Sequence, residues 1–396
     1  GVAALSLAGA GLAVATLALL GTLGDGKGDA APDAPLLDAC KGTYLCRDTA
    51  SEEAYGKYLQ GVDLAAAQEG SHAVRVLEGA LAEDPRFVYA CDLLANVYDT
   101  LHRKDLAREK LDSCQPAADA KGPFFEWLLR RRRAQVDEQW RQELDALEQL
   151  WRLDPDNPEW HHRLGFFYLT HDRDCPRSLE QHRQAAGAEP SVRNLTYLAE
   201  AQLQCGEEAE ALPTLDRVPP PNRGAKSWSI LRGLALRLNG RFEEAEAVLR
   251  DAMQGEPQDP WILSALGDLK LAAGAPAQAL ELFESARSKR VADSDLGPAA
   301  FGEGWALLEL DRPEEALKLA REAREREGSG LEALWLQGSA EIALGDLAAA
   351  AGTAAQAVER LAAAGSRYQE EWVRHLEGRL ALARGDLAEA VRCFRE

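Results

Sequence analysis

The cysteines are the residues whose spacing most directly suggests covalent chemistry in this chain of 396 residues. Cys40 and Cys46 enclose the short segment KGTYL, which contains a glycine able to bend it. Free thiols in an exposed linker would oxidise outside the cytoplasm. We therefore predict a disulfide between Cys40 and Cys46 in an extracytoplasmic compartment.

Four further cysteines form two candidate pairs. Cys91 and Cys114 fall at matching heights of two consecutive predicted helices, and Cys175 and Cys205 fall near successive helix turns. For Cys91 and Cys114 the alternative is two free cysteines in small core positions, because a buried Cys behaves as a small hydrophobe. Cys393 is left over. Three candidate pairs are typical of an oxidising space.

The histidines are the second group that could do chemistry. A zinc site on a helix needs ligands that converge on one face, and no H-x-x-x-H spacing occurs among them. The chain also lacks G-x-S-x-G, HExxH, Walker and kinase motifs. We therefore expect no metal site, no cofactor and no catalytic residue. The cluster consists of His161, His162, His171 and His182, with Cys175 among them.

A repeated pattern predicts the elements that position these residues. From about residue 54, a small residue in a first helix is followed twelve positions later by an Ala in a second helix. Small side chains are required where two helices cross closely. The pairs recur at a spacing of about 34 residues: Gly61/Ala73, Ala95/Ala107, Ala199/Ala211, Gly233/Ala245, Gly267/Ala279, Gly304/Ala316, Gly338/Ala350 and Gly378/Ala390.

The rest of each unit is also patterned. A large apolar residue usually follows four positions after the second-helix Ala, as in Leu249 and Phe283, and a Pro ends several units. This pattern resembles the tetratricopeptide repeat family, and residues 228–257 carry nearly all of it. The resemblance implies an all-α superhelical solenoid of about ten helix-turn-helix units over 54–396. Its third unit is degenerate, because Arg131 and Glu143 replace both small residues, and its last unit is truncated.

Composition and charge limit the partners. The net charge is −20 and the pI is about 4.9, so a basic face for nucleic acid is not expected. The one basic run, residues 130–133, is interpreted as solvated arginines paired with acids such as Asp137 and Glu138. No pattern indicates a small-molecule substrate.

One face of the first helices is apolar in the later repeats. Offsets of minus six, minus three, plus one and plus four from the small residue lie within about 80° of one another. In the family this side lines an inner groove, so the resemblance implies a binding site for an apolar, extended or helical peptide of a partner protein. The alternative is that the tryptophans pack between neighbouring helices. The face carries Trp261, Leu271, Phe301, Trp305, Leu308, Trp335, Ile342, Trp372 and Leu382.

A different peptide class is disfavoured. The family members that hold a terminal carboxylate use paired Lys and Asn at the minus three and plus one offsets. In this chain those positions read Ser264/Asp268, Phe301/Trp305, Trp335/Ser339 and His375/Arg379. We therefore expect an apolar peptide and not an acidic tail.

The amino-terminal residues suggest a membrane. Residues 2–24 carry no charge and are long enough to cross a hydrocarbon core of about 30 Å. We predict a transmembrane helix over 1–24, with a signal peptide as the alternative. A Gly-, Pro- and Asp-rich linker over 25–53 would hold the Cys40/Cys46 pair, with the repeats in the periplasm.

Two functions are consistent with these patterns. The first is a membrane-tethered scaffold that binds a partner protein through its repeats. The second is the sensor half of a membrane-bound serine/threonine kinase whose catalytic domain precedes Gly1. The second rests on a resemblance in architecture to bacterial kinases of that type and on the short segment EEAYGKYLQG.

Overall fold

The fold is all-helical wherever the structure describes the chain. The computed structural model describes residues 47–66, 69–255, 259–288, 297–327, 330–364 and 370–395. Within these ranges there are twenty α-helices and no strand, which fits the predicted helical repeats. In chain order they are α1 (Glu52–Ala66), α2 (Gly70–Glu83), α3 (Val88–Thr100), α4 (Lys104–Lys121), α5 (Pro123–Val136), α6 (Trp140–Leu153), α7 (Pro158–Phe167), α8 (Cys175–Ala188), α9 (Val192–Gln204), α10 (Glu208–Asp216), α11 (Lys226–Leu238), α12 (Phe242–Gly255), α13 (Pro260–Ala272), α14 (Pro276–Ser288), α15 (Gly297–Glu309), α16 (Pro313–Glu327), α17 (Leu331–Ala343), α18 (Leu347–Ala364), α19 (Glu370–Ala383) and α20 (Leu387–Arg395).

The described residues divide into two compact units. The first unit holds residues 47–169 and 174–201, and the second holds 170–173 and 202–395. Each has its own buried core. Tyr58, Phe87 and Leu147 belong to the core of the first unit, and Phe283 and Leu336 belong to the core of the second.

The small residues of the repeat lie where the helices cross. A Cβ added to Gly233 would lie 2.9 Å from Leu249, and one added to Gly267 would lie 2.7 Å from the ring of Phe283. In both cases the large residue comes from the second helix of the same pair. The reason given for the small residues is therefore confirmed at these crossings: the facing Leu or Phe leaves no room for a side chain.

A three-residue turn joins the helices of most pairs and has one left-handed residue at its centre. This residue is a glycine in several repeats, as at Gly240 (φ 72°) and Gly274 (φ 75°). In others it is a larger residue, as at His102 (φ 58°) and Asp311 (φ 58°). The next backbone N–H then bonds back into the first helix and satisfies a terminal carbonyl.

Two repeats depart from this plan. In the third pair, α5 and α6 pack together although Arg131 and Glu143 stand in the small positions. In the fourth pair, α7 continues into a π-helical turn, Tyr168–Asp172, which accommodates extra length before α8.

The predicted fold class and the predicted localisation both included a transmembrane helix, and both need correction. No helix within the described ranges is both long and apolar enough to cross a bilayer. Even the longest, α4 and α18, are amphipathic helices of 18 residues that pack on their neighbours. Residues 1–24, where the span was predicted, lie outside the described residues. The single-pass periplasmic assignment is therefore withdrawn.

Candidate functional site

Four aromatic side chains from three successive first helices form a continuous cluster in the second unit. Phe301 and Trp305 lie on α15, Trp335 lies on α17 and Trp372 lies on α19. The ring centroid of Phe301 is 4.9 Å from that of Trp335 and 4.4 Å from that of Trp372. The centroids of Trp305 and Trp335 are 5.3 Å apart. We call these four residues the aromatic wall.

The members of the aromatic wall differ in exposure. Trp335 is 1% exposed and Trp372 is 2% exposed, whereas Phe301 and Trp305 are half-buried. The residue pattern predicted that all four line an open groove, with packing between neighbouring helices as the alternative for the tryptophans. The difference arises because α17 contacts both α15 and α19, so that Phe301, Trp305 and Trp372 from these two helices cover Trp335. The buried pair forms the base of the wall, and the other two rings meet solvent.

Polar groups fix the rings of the wall. Trp335 Nε1 donates a hydrogen bond of 2.8 Å to Nδ1 of His375. Burial, together with the nearby Arg379, lowers the pKa of His375 to about 4, so the imidazole is the neutral acceptor that this bond requires. The guanidinium of Arg379 also lies 5.7 Å from the ring of Trp335. Trp305 Nε1 donates to Oε1 of Glu309 at 3.3 Å.

The other predicted groove residues surround the wall to different degrees. Leu271, Leu308 and Ile342 are half-buried and pack against the same core as the wall. Trp261 is half-buried at the beginning of α13, and Leu382 on α19 is 50% exposed. The predicted face is thus apolar, with its open area at Phe301, Trp305, Trp261 and Leu382.

Two charged residues of this face were missed as site residues. Asp268 follows Gly267 on α13, and Arg237 lies four residues after Gly233 on α11. Burial raises the pKa of Asp268 to about 6, although Arg237 opposes the shift. Their positions at the plus one and plus four offsets were the available signal, and charged residues there are not explained by helix packing.

Two residues of the arginine run in the first unit are not solvated as interpreted. Arg131 and Arg132 are buried, and both donate to the carboxylate of Asp92 on α3. Burial alone would raise the pKa of Asp92, but Arg132 and Arg131 outweigh it and hold this pKa at about 2. Arg131 thus occupies a small-residue position by reaching a carboxylate in the preceding repeat. Asp92, Arg131 and Arg132 thus form ion pairs within the unit.

The histidine cluster of the fourth repeat is a packing feature. His182 takes the position of the large apolar residue and lies against Gly165, whose added Cβ would be 2.7 Å from its ring. His162 stacks on Tyr197 at a centroid distance of 3.7 Å. Burial lowers the pKa of His182 to about 4 and that of His162 well below its usual value. No group of three or more His, Cys, Asp or Glu in the described part of the chain is arranged to hold a metal.

The structure gives a different bonding state for different cysteines. Cys91 on α3 and Cys114 on α4 are joined by a disulfide, with their Cα atoms 6.5 Å apart. Cys175 and Cys205 are each disulfide-bonded as well. Cys393 is a buried free thiol. Cys40 and Cys46 lie outside the described residues, so their pairing stays a prediction.

Matches to a known protein family agree with the helix pairs seen in the structure. Tetratricopeptide repeat profiles match residues 236–300, residues 301–366, and residues 195–217 with 372–396. These matches place the region 195–396 in the tetratricopeptide repeat family. Such repeats typically build scaffolds that bind other proteins, and the profiles support that role for the matched region. A comparison with curated proteins finds no match.

Solved structures of helical repeat proteins resemble the chain at low identity. A tetratricopeptide repeat protein from Parabacteroides merdae is 15% identical, covering 61% of this chain and 95% of that one, with a TM-score of 0.42. Human IFIT1, solved as a dimer with m7Gppp-AAAA, is 16% identical over 88% of this chain and 90% of its own, with a TM-score of 0.49. Yeast Tom70 is 12% identical over 87% and 85%, with a TM-score of 0.48. No function is inferred from likenesses this distant.

Proposed function

We propose that the second unit binds an apolar segment of a partner protein, extended or helical, on the aromatic wall and the apolar residues beside it. The observation that carries this proposal is the wall itself. Three successive first helices each contribute rings that contact the next, and two of the four rings keep an open face.

The wall has the properties of a binding hot spot. Phe301 and Trp305 present large apolar surfaces, and the buried Trp335 and Trp372 hold them from behind. Side chains that are already ordered lose little conformational entropy when a ligand arrives. Aromatic residues with a rigid base dominate binding energy in many protein interfaces. A peptide with Leu, Ile or Phe side chains would bury them against these two rings.

Charge around the wall supports a neutral ligand. Glu309 lies at the Trp305 end, and Arg379 lies over Trp335. Charges of opposite sign near the wall do not attract a strongly acidic or strongly basic tail, but they can set the direction of a bound segment. The Lys and Asn pairs that would hold a terminal carboxylate are replaced here by Phe301/Trp305 and Trp335/Ser339.

The test is selection of ligands from a displayed library of random dodecamer peptides by the full chain. We expect apolar peptides, and we expect Trp305→Ala to weaken their binding by about tenfold or more, since this ring is an open anchor. Trp127→Ala is the matched control, because Trp127 is a half-buried tryptophan on α5 in the first unit. Dissociation constants would be measured by fluorescence anisotropy.

Two results would contradict the proposal. One is binding of the selected peptides to the Trp305→Ala variant with unchanged affinity. The other is selection of acidic peptides whose binding falls steeply with salt. The alternative function, the sensor half of a kinase, gains no support from the described residues.

A further inference from the structure

Arg379 is a half-buried arginine beside the aromatic wall that has no acidic partner. It lies on α19, and its guanidinium carbon is 5.7 Å from the ring centroid of Trp335. No hydrogen bond or ion pair engages its guanidinium among the residues that the structure describes. Its nitrogens are nevertheless not enclosed, so a group from another molecule can reach them.

Half-buried arginines elsewhere in the second unit are paired, as two examples show. Arg374, which precedes Arg379 on the same helix, donates to Glu377 at 3.3 Å. Arg287 on α14 donates to both carboxylate oxygens of Glu303, at 2.6 Å and 3.0 Å. A guanidinium that has lost part of its water without gaining a carboxylate forgoes favourable interactions, which a ligand could supply. Arg379 is therefore a candidate contact for an anion.

The position of Arg379 places it at the edge of the proposed groove. Arg379 and Trp305 each directly follow the small residue of their repeat, so they lie on the same face of their helices. Ser339 takes the equivalent position on α17, between them, and is fully buried. The ring centroid of Trp305 is 5.3 Å from that of Trp335, so the two side chains flank one buried ring. A segment that covers Trp305 and continues toward α19 therefore reaches Arg379.

The charges around Arg379 favour a single carboxylate over a phosphate group. A guanidinium presents paired N–H donors that match both oxygens of a carboxylate. A phosphate group also matches them, but it carries up to about two negative charges toward a chain whose net charge is −20. The carboxylate of Glu309 repels one charge only weakly, because Glu309 is exposed to solvent.

We propose that Arg379 binds the carboxylate of one Asp or Glu side chain in the bound peptide. The inference rests on the proposed function, since it places this residue in a segment that also covers the aromatic wall. It narrows the ligand to an apolar segment with one acidic residue near its anchor. A single ion pair adds only a shallow dependence on salt, so such a peptide differs from an acidic tail.

The distances limit how far the acidic residue lies from the apolar anchor. Both Arg379 and Trp305 are measured to the ring of Trp335, so their separation is at most about 11 Å, a span of about three residues in an extended segment. The acidic side chain should thus lie within about four positions of the side chain that covers Trp305. In a helical segment it should lie about one or two turns away.

The first experiment selects dodecamer peptides from a displayed random library with the full chain, with Arg379→Glu and with Arg321→Glu as the matched control. Arg321 is an exposed arginine on α16, so the control makes the same charge change away from the wall. Each peptide is joined to the display protein through its carboxyl end, so only side chains can offer a carboxylate. We expect apolar peptides with one acidic residue from the parent and the control. Arg379→Glu should reject that acidic residue and favour Lys or Arg in its place.

Synthetic peptides with an amidated carboxyl end measure the ion pair directly. Replacing the acidic residue of a selected peptide by Gln or Asn should weaken binding about tenfold, because a hydrogen-bonded charge pair is lost. Arg379→Gln should weaken binding of the unmodified peptide by a similar factor, and the two changes together should cost no more than either one. Circular dichroism and thermal melting would verify that the variants fold. Losses that multiply would overturn the pair, and so would binding that requires a free terminal carboxylate.

The outcomes separate the inference from the proposed function. Apolar peptides without a preferred acidic residue, weakened by Trp305→Ala, would reject the Arg379 contact and keep the wall. Peptides whose acidic residue depends on Arg379, but whose binding is unchanged by Trp305→Ala, would keep the contact and reject the wall. Selection of peptides that depend on neither residue would reject both.

Discussion

Trp305 and Trp335 of the aromatic wall lie in different environments and therefore have different roles. Trp305 is half-buried and can meet a ligand, whereas Trp335 is enclosed by Phe301, Trp372 and His375. A loss of binding in a Trp335 variant would therefore report on the packing of the second unit. A loss in a Trp305 variant would report on the interface.

Trp335→Ala should destabilise the second unit by about 3–5 kcal/mol, because it removes a fully buried ring and leaves a cavity. Trp335→Phe should cost less, about 1–3 kcal/mol, since the ring remains but His375 loses its donor. Urea unfolding followed by far-ultraviolet circular dichroism measures both. Equal stability of Trp335→Ala and the parent protein would show that the ring is not part of the core.

The buried histidines make stability depend on pH. His182 and His375 have a pKa of about 4 in the folded chain, compared with about 6.5 when unfolded. Between these values the unfolded chain binds more protons, so stability is complete above pH 6.5 and falls as the pH falls. At pH 5 the loss is about 2 kcal/mol for each histidine.

His182→Leu tests this at one position. Other repeats carry Leu or Phe at the equivalent position, as at Leu249, so the change should fit the space beside Gly165. The variant should lose less stability than the parent between pH 7 and pH 5, by about 2 kcal/mol. Urea titrations at the two pH values provide the comparison. An identical pH dependence would mean that His182 is already solvated or charged.

At the scale of the helix pair, the backbone conformation of the turn determines which residue type it favours, and the room available for a side chain does not. Gly274 has φ 75° with nothing within 4 Å of its potential Cβ, while Gly352 lies inside α18 with equal space and no positive φ. Gly274→Ala should destabilise by about 1 kcal/mol, and Gly352→Ala should stabilise by up to about 1 kcal/mol. Thermal melting of the two variants decides the matter. The same sign for both would reject the conformational explanation.

Sequence reasoning was strongest for helix pairs and weakest for contacts between repeats. The spacing of small residues placed Gly233 and Gly267 at their crossings, because that constraint is local to one pair. The pairing of Asp92 with Arg131 and Arg132 joins residues 39 and 40 positions apart, and no local pattern encodes it. Likewise the offsets identified the face that carries Trp335, but only the neighbouring helices decide that its ring is covered.

At the scale of the molecule, a covalent bond ties the second helix pair. The disulfide between Cys91 and Cys114 closes a loop across 23 positions in the first unit. A double variant, Cys91→Ala with Cys114→Ala, should lose roughly 3 kcal/mol of stability in the first unit, mainly because the unfolded chain gains freedom. Cys393→Ala is the control, since that thiol is free and buried.

Differential scanning calorimetry would record the effect. The double variant should lower the melting of the first unit, while Cys393→Ala should leave it in place. A reductant should lower the melting of the first unit more in the parent protein than in the double variant, because only the parent has the Cys91–Cys114 bond to lose. A shift of similar size in the melting of the second unit, which holds Cys393, would attribute the loss to cavity formation and not to the bond.

Phe283 gives the second unit a form of cooperativity. Its ring lies against Gly267 in its own repeat and against Gly302 in the following one, and neither position has room for a side chain. Neither repeat can open without exposing this one ring, so the free energies of opening of α13 and α15 are coupled through it. Hydrogen–deuterium exchange of the backbone amides should therefore give a common free energy of opening for the two helices. Phe283→Ala should let the two helices open independently. A partner that binds one repeat would then no longer stabilise the next.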